Sequence, residues 1–412
     1  MRRRSATHVV VLWCAFVAVH VAVAIAGWMY PSQPMGDVVL VYEPWATSAL
    51  NGGPVVGVTQ TWVYPQLALV PMLLAKMMSL PLVATMGASG AYLVAWATLV
   101  TVLDALAFAS LTGRSASSQC RAGAWFWVAA LLLLGPIAMY RIDAIAVPLA
   151  VVGGLWLTRR PAVAAALLTI GAWVKIWPAA LVFAAVVASR HRMRVLVTAA
   201  AVTAGILLAL LLCGADSEIF GFLTAQTGRG LQIEAVAATP FLWAAVAGAA
   251  SIEYSFEILT FQIVAPGAEP VAAALTPLMI VLVVAVTGVG AIKAMRGASF
   301  SRLFPPLAHS LVLALIVMNK VGSPQFATWV IAPVILWFVL DRARAGVPSA
   351  TVLALCALTC VVYPLTYDAL LRADLLPVVI LTVRNLLLVS ALVVGIRALI
   401  RVPTTTTTAT RE

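Results

Sequence analysis

The sequence predicts an all-α polytopic membrane protein. Three observations predict it: 63% of the residues are apolar, only 9% are charged, and the apolar residues form long continuous runs, giving a mean hydropathy of +1.07. Soluble globular domains carry about 25% charged and roughly 45–50% apolar residues. A soluble enzyme, a disordered chain and a disulfide-stapled secreted domain are therefore excluded. A helix crossing a bilayer needs about 20 apolar residues, so 412 residues have room for about twelve such helices with short loops and for no separate soluble domain. A transmembrane barrel would instead show alternating segments of about ten residues. The expected organisation is one integral membrane domain over residues 1–403, followed by a low-complexity tail, 404–412, that is disordered and cytoplasmic.

The first element follows Arg2-Arg3-Arg4 and runs from about His8 to Tyr30. Ala24-Ile25-Ala26 resembles a signal-peptidase site, but the run is longer than a signal-peptide core, so it reads as an uncleaved anchor with its N-terminus inside. Cations mark the cytoplasmic loops: Arg114 and Arg121, Arg159-Arg160, Arg190 with Arg192 and Arg194, Lys293 with Arg296 and Arg302, Arg342 with Arg344, and Arg397 with Arg401 and Arg411. This distribution accounts for the net charge of +11 without a nucleic-acid partner. Most acids fall on the other side, which the cation rule does not explain and which a polar working face there would.

Spans are expected near 88–113, 121–140, 144–158, 161–178, 179–190, 194–213, 270–293, 303–319, 323–341, 347–365 and 374–397. The run from Pro65 to Pro81 is short, has proline at both ends and carries Lys76. Counting it as a span would invert every later loop, so it reads as an interfacial helix. Two long outer segments remain, 31–87 and 214–269. Of the five cysteines, Cys356 and Cys360 share a helix face, which points to packing. No Cys or His spacing suggests zinc, and no metal is expected.

A charge at membrane depth costs on the order of 3 kcal/mol, so each one asks for a reason. Asp37 follows the first span, with Glu43 six residues on; a solvated helix-capping loop carboxylate and a general base acting on a hydroxyl are both open. Trp62-Val63-Tyr64-Pro65-Gln66 reads as an ordinary interfacial helix entry. Arg141 and Asp143 sit in a very short turn and either pair with each other or line a polar cavity. Lys175, in Trp173-Val174-Lys175-Ile176-Trp177-Pro178, either snorkels or meets a lipid phosphate. Arg229 through Gln232 and Glu234 lies in the second outer segment, and Lys320 opens a tight turn through Ser323-Pro324-Gln325. Arg384-Asn385 and Asp104 fall inside spans and should face a partner rather than lipid.

The order of these features resembles the membrane-embedded GT-C glycosyltransferases, family 87, the polyprenyl-phosphate-mannose-dependent mannosyltransferases of actinobacteria. The resemblance rests on Asp37 with Tyr42, Tyr64-Pro65, the Arg141/Asp143 turn, the Lys175 motif, the Arg229–Glu234 stretch, the Lys320 turn and Arg384-Asn385. It covers most of the chain; each motif alone is weak. It implies a GT-C-like bundle of about twelve transmembrane helices, with interfacial helices in the first outer loop. The implied setting is a bacterial plasma membrane, with cytoplasmic termini and an active site on the outer face.

The implied activity is transfer of a sugar, mannose by analogy, from a polyprenyl-phosphate donor to a lipid or glycolipid acceptor. The implied roles are Asp37 as base; Lys175, Arg229, Lys320 and Arg384 on the donor phosphate; and Glu43, Tyr64, Arg141, Asp143, Gln232 and Glu234 on substrate. No cofactor is implied. Two other readings stand beside it. A lipid or solute transporter would spread polar residues through its spans, and a scaffold subunit would need no outer carboxylate.

Overall fold

The computed structural model describes residues 2–113, 117–224, 229–255 and 260–405, with side chains from His8 onward and excluding that of Thr224. Arg114, Glu257, Arg411 and the stretch 406–412 of the expected tail lie outside the described residues. The described residues are 78% helical. Among the described residues, nine helical segments are long and apolar enough to cross a membrane. This is an all-α polytopic membrane protein. Its contacts divide it into two compact units, residues 1–182 with 193–226 and residues 183–192 with 227–412.

The first unit opens with α1 (Arg2–Met29), a π-helical turn over Val38–Tyr42 and α2 (Glu43–Leu50). Then come α3 (Leu69–Ser79) and α4 (Val83–Thr112), an antiparallel pair. The Tyr92 hydroxyl donates to the Met72 carbonyl at 3.2 Å. Leu80–Leu82 keeps helical backbone between the two, and α4 carries a break at Gly87, whose φ of 71° suits glycine. The expected interfacial stretch 65–81 is thus part of a helical segment running from Gln66 to Thr112.

α5 (Ser118–Leu134), α6 (Asp143–Trp156) and α7 (Pro161–Val174) follow, and α9 (Arg192–Leu212) and α10 (Gly221–Thr224) complete the unit. α6 and α7 have 14 residues each and α8 (Ala179–Ala188) has 10. At 1.5 Å per residue, 14 residues reach about 21 Å, short of a hydrocarbon core of about 30 Å. The expected spans at 144–158, 161–178 and 179–190 are therefore short apolar helices. Their runs are cut by Arg159-Arg160-Pro161 and by the break from Lys175 to Pro178, which hydropathy alone smooths over.

α1 and α4 are joined at depth by His20 and Asp104, Nε2 to Oδ2 at 3.2 Å, both nearly solvent-free. The partner expected for Asp104 is this histidine. α6 and α7 approach closely because position 153 is glycine. A Cβ there would lie 2.8 Å from Leu168 Cγ.

The second unit contains α11 (Thr239–Val246), a β1/β2 hairpin (Ser251–Ser255 and Thr260–Val264, antiparallel), α12 (Ala268–Met295), α13 (Phe300–Val317), α14 (Ile331–Asp341), α15 (Gly346–Cys360), α16 (Tyr367–Leu371) and α17 (Leu375–Ile400). Its core gathers Leu231, Ile233, Leu242, Leu275, Val378 and Leu381. Cys356 and Cys360 are buried and unbridged on α15, as packing residues should be. The hairpin in the 214–269 segment has no counterpart in the sequence reading, because strands of five residues alternate too briefly to register.

The α6–α7 contact makes a first prediction. Replacing Gly153 with Leu forces the two helices apart and should cost about 1–3 kcal/mol, seen as a lower melting temperature of the purified protein in detergent. An unchanged transition would contradict the packing.

Candidate functional site

The site in the first unit is built on the ends of α6 and α7. Asp143 is the first residue of α6 and Lys175 the residue after α7. A carboxylate suits a helix N-terminus and a cation a helix C-terminus, so each side chain is favoured by its own helix before the two meet. Lys175 Nζ lies 3.7 Å from Asp143 Oδ2, with Asp143 fully buried. The same ammonium lies 4.3 Å from the centroid of the Tyr64 ring, a cation–π distance. Lys175 therefore does not snorkel; it turns inward onto a carboxylate and an aromatic face.

Arg141 reaches back from this turn to the segment that follows α1. Its Nε lies 3.4 Å from Asp37 Oδ2, and its Nη1 donates to the Pro34 carbonyl at 2.7 Å and to its own neighbour Tyr140 at 3.0 Å. Arg141 is thereby fixed to the segment that carries Asp37. The Asp37 side chain keeps 37% of its surface open, so it is the carboxylate of this group that solvent or a substrate can reach. Tyr42 stands between the two pairs: its hydroxyl accepts from the Ile142 N–H at 3.2 Å. Burial, the neighbouring Tyr64 and the Asp37 and Asp143 charges push the Tyr42 phenol well above its ordinary range. Burial first, then Asp37 and Asp143, does the same to Tyr64. Both phenols stay protonated and serve as hydrogen-bonding groups.

Glu43 takes no part in this group. It pairs with Lys76 of α3 at 2.9 Å, both side chains largely buried, and so clamps α2 to α3. The substrate role expected for Glu43 meets a structural pair instead, and the lysine that marked the helix as interfacial is the other half of it. The rings of Tyr42, Trp45, Trp62 and Tyr64 form one edge-to-face cluster beside Lys175, with centroids 5.4–6.4 Å apart.

The remaining expected residues belong to the second unit. Strand β2 and the 320–323 turn grip the stretch from Leu231 to Ala235 from its two edges: Ile263 N donates to Leu231 O and Gln232 N donates to Lys320 O. Gln232 Oε1 in turn accepts from Gly322 N at 3.1 Å. Gly322 lies against the backbone of Glu234 and Ala235 so closely that no Cβ fits. Arg384 fastens the assembly from α17. Its Nη1 donates to Glu234 O at 2.9 Å and to Asn385 Oδ1 at 2.7 Å, and its Nη2 to Gly322 O at 3.2 Å. A guanidinium occupied in this way is a fastener for two loops, which differs from the phosphate-binding role expected for it.

Burial first, and then the charge of Arg229, lower the Lys320 ammonium below its ordinary value. Burial raises the Glu234 carboxyl, while Tyr367, donating to its Oε1 at 2.8 Å, opposes the rise. Tyr367 was not singled out in the sequence; nothing in its local context sets it apart, and only the fold brings it to Glu234. Gln232, Glu234, Lys320 and Arg384 thus form one network within the second unit.

The chain matches no protein-family model, no curated protein and no solved structure. Among the described residues, no group of three His, Cys, Asp or Glu side chains is placed to hold a metal.

Two predictions follow from the second unit. Arg384→Met leaves the carbonyls of Glu234 and Gly322 without their donor and should cost about 2–3 kcal/mol, read as a drop in melting temperature. The raised Glu234 carboxyl favours the neutral acid in the fold, so its contribution is full at acid pH and is lost as pH rises above about 4.5. Glu234→Gln should flatten that part of the stability–pH profile, measured by thermal unfolding across pH; an unaltered slope would assign it elsewhere.

Proposed function

We propose that this protein is a membrane glycosyltransferase with a GT-C-like architecture of about twelve helices. It transfers a sugar, mannose by resemblance, from a polyprenyl phosphate to a lipid or glycolipid acceptor at the outer face of a bacterial plasma membrane. The observation that carries the reading is the Asp37 group: one solvent-reachable carboxylate held by Arg141, with Lys175 beside it on Asp143 and Tyr64.

Displacing a phosphate requires a base for the incoming hydroxyl and a cation for the departing charge. Asp37 serves as the base: it takes the proton of the acceptor hydroxyl as that oxygen attacks the anomeric carbon. Arg141 fixes the carboxylate's position. Lys175 neutralises the phosphate as the glycosidic C–O bond breaks. The placement of both termini in the cytoplasm belongs to this proposal.

A transporter is the second reading, and the specific observation in its favour is the buried His20–Asp104 pair inside α1 and α4. That pair is locally neutral, since His20 Nδ1 is engaged with Phe16 O at 2.9 Å and one proton satisfies the contact between Nε2 and the carboxylate. This leaves the pair a structural role at no cost of isolated charge.

The test is transfer of radiolabelled mannose from polyprenyl-phosphate-mannose into a membrane-lipid extract, with purified wild type beside Asp37→Asn. The wild type should transfer and Asp37→Asn should lose at least 100-fold, on the order of a general base's contribution, with an unchanged melting temperature. Full transfer by a folded Asp37→Asn would remove the assignment of the base. A wild type inactive toward this donor but moving lipid across vesicles would favour the transporter.

A further inference from the structure

A cavity lies against the buried polar contact that joins α1 to α4. His20 of α1, Val100 and Asp104 of α4, Leu131 of α5 and Met139 just beyond it are among its lining residues. Its free space is that of about one water molecule.

The hydrogen bonds fix what the pair needs. His20 Nδ1 lies 2.9 Å from the Phe16 carbonyl. A carbonyl only accepts, so Nδ1 carries a hydrogen. His20 Nε2 lies 3.2 Å from Asp104 Oδ2, and one further proton sits between them, on the nitrogen or on the oxygen. In either form the other carboxyl oxygen, Asp104 Oδ1, remains an acceptor. Asp104 is 3% exposed, and its Oδ1 has no hydrogen-bond partner in the protein. Buried polar atoms are almost always satisfied, and an unmade bond to one costs stability.

The lining selects what meets that need. The occupant must donate, which excludes an anion beside a carboxyl oxygen. A metal cation such as calcium or magnesium takes six or more oxygen ligands, whereas the only carboxylate in this lining is Asp104, and every lining side chain other than Asp104 and His20 is apolar. The space admits a single small molecule. Water donates twice and fits. A wholly apolar cavity of this kind would stay dry; the orphaned carboxyl oxygen is what makes this one a hydration site.

We propose that one water molecule occupies this cavity, donates to Asp104 Oδ1 and completes the His20–Asp104 contact as a three-membered polar group. Its second O–H goes to the Met139 carbonyl. That oxygen accepts the Trp96 indole N–H at 2.9 Å, which uses one of its two lone pairs. The water thereby ties α1 and α4 to the turn that follows α5. The site does not rest on the glycosyltransferase reading, and sugar transfer has no bearing on it.

The test uses the full-length protein in detergent. A density map that resolves ordered waters should show one within hydrogen-bonding distance of Asp104 Oδ1. Val100→Ile adds a methylene to the cavity wall and leaves both members of the pair in place. Expelling the water strands Asp104 Oδ1, so this variant should melt a few degrees below the wild type. Filling a dry apolar cavity would have the opposite sign, since the added methylene gains contacts at no polar cost.

Water density at Asp104 Oδ1 together with the lower melting temperature supports the site. A cavity without density in a map that resolves the Asp104 carboxyl overturns it. So does density that lies out of reach of Oδ1, and so does a Val100→Ile protein that melts at or above the wild-type temperature. If Val100→Ile yields no folded protein, the map alone decides in the same way.

Discussion

The contact between Asp143 and Lys175 is the interaction around which the first unit is organised. In a chain with 9% charged residues, an ionic side chain away from water needs a partner, since an isolated one costs on the order of 3 kcal/mol at membrane depth. The fold answers by pairing: Asp143 with Lys175, Asp37 with Arg141, Glu43 with Lys76 and His20 with Asp104. The first two pairs depend on one another because Arg141 and Asp143 share a turn. Fixing α6 against α7 fixes Lys175, and fixing the start of α6 fixes Arg141 and through it Asp37. The geometry of the candidate site is therefore a by-product of helix packing at Gly153, far along α6 from the charges themselves.

Much of this architecture was legible in the sequence. Long apolar runs marked the long helices of both units, with ends that differ by several residues, as at α4 (Val83–Thr112 against 88–113) and α5 (Ser118–Leu134 against 121–140), and punctuation such as Arg159-Arg160-Pro161 marked some of their ends. Hydropathy could not distinguish a helix that crosses a bilayer from a short apolar helix buried in protein, because both are rich in Ala, Val and Leu; hence α6, α7 and α8 read as spans. Site residues were legible as anomalies, charges where charges are costly. Their partners were not. Asp37 and Arg141 are separated by 104 positions, His20 and Asp104 by 84, and such pairings are set by how helices stack, which no local window contains. For the same reason Glu43 and Arg384 looked available for substrate and turn out to be engaged with Lys76 and with two backbone carbonyls.

The two units treat polar groups differently. In the first, charges meet charges, and one carboxylate stays partly open. In the second, the dominant contacts are between side chains and backbone: Arg384, Asn385 and Gln232 satisfy carbonyls and amides of irregular segments. Irregular backbone in an apolar setting has no water to satisfy it, so a loop such as 229–235 persists only where protein groups take over that task. A network of this kind is specific in shape, which suits a rigid surface, whereas the open pair in the first unit suits proton exchange.

The Arg384 lock has a consequence for biogenesis. Its donor lies in α17 and its acceptor at Glu234 stands 150 residues earlier. A ribosome making this protein releases the 229–235 loop long before α17 exists. Until α17 is inserted, the Glu234 and Gly322 carbonyls lack the guanidinium that satisfies them. The 229–235 loop is therefore fastened only after the chain has been made as far as Arg384.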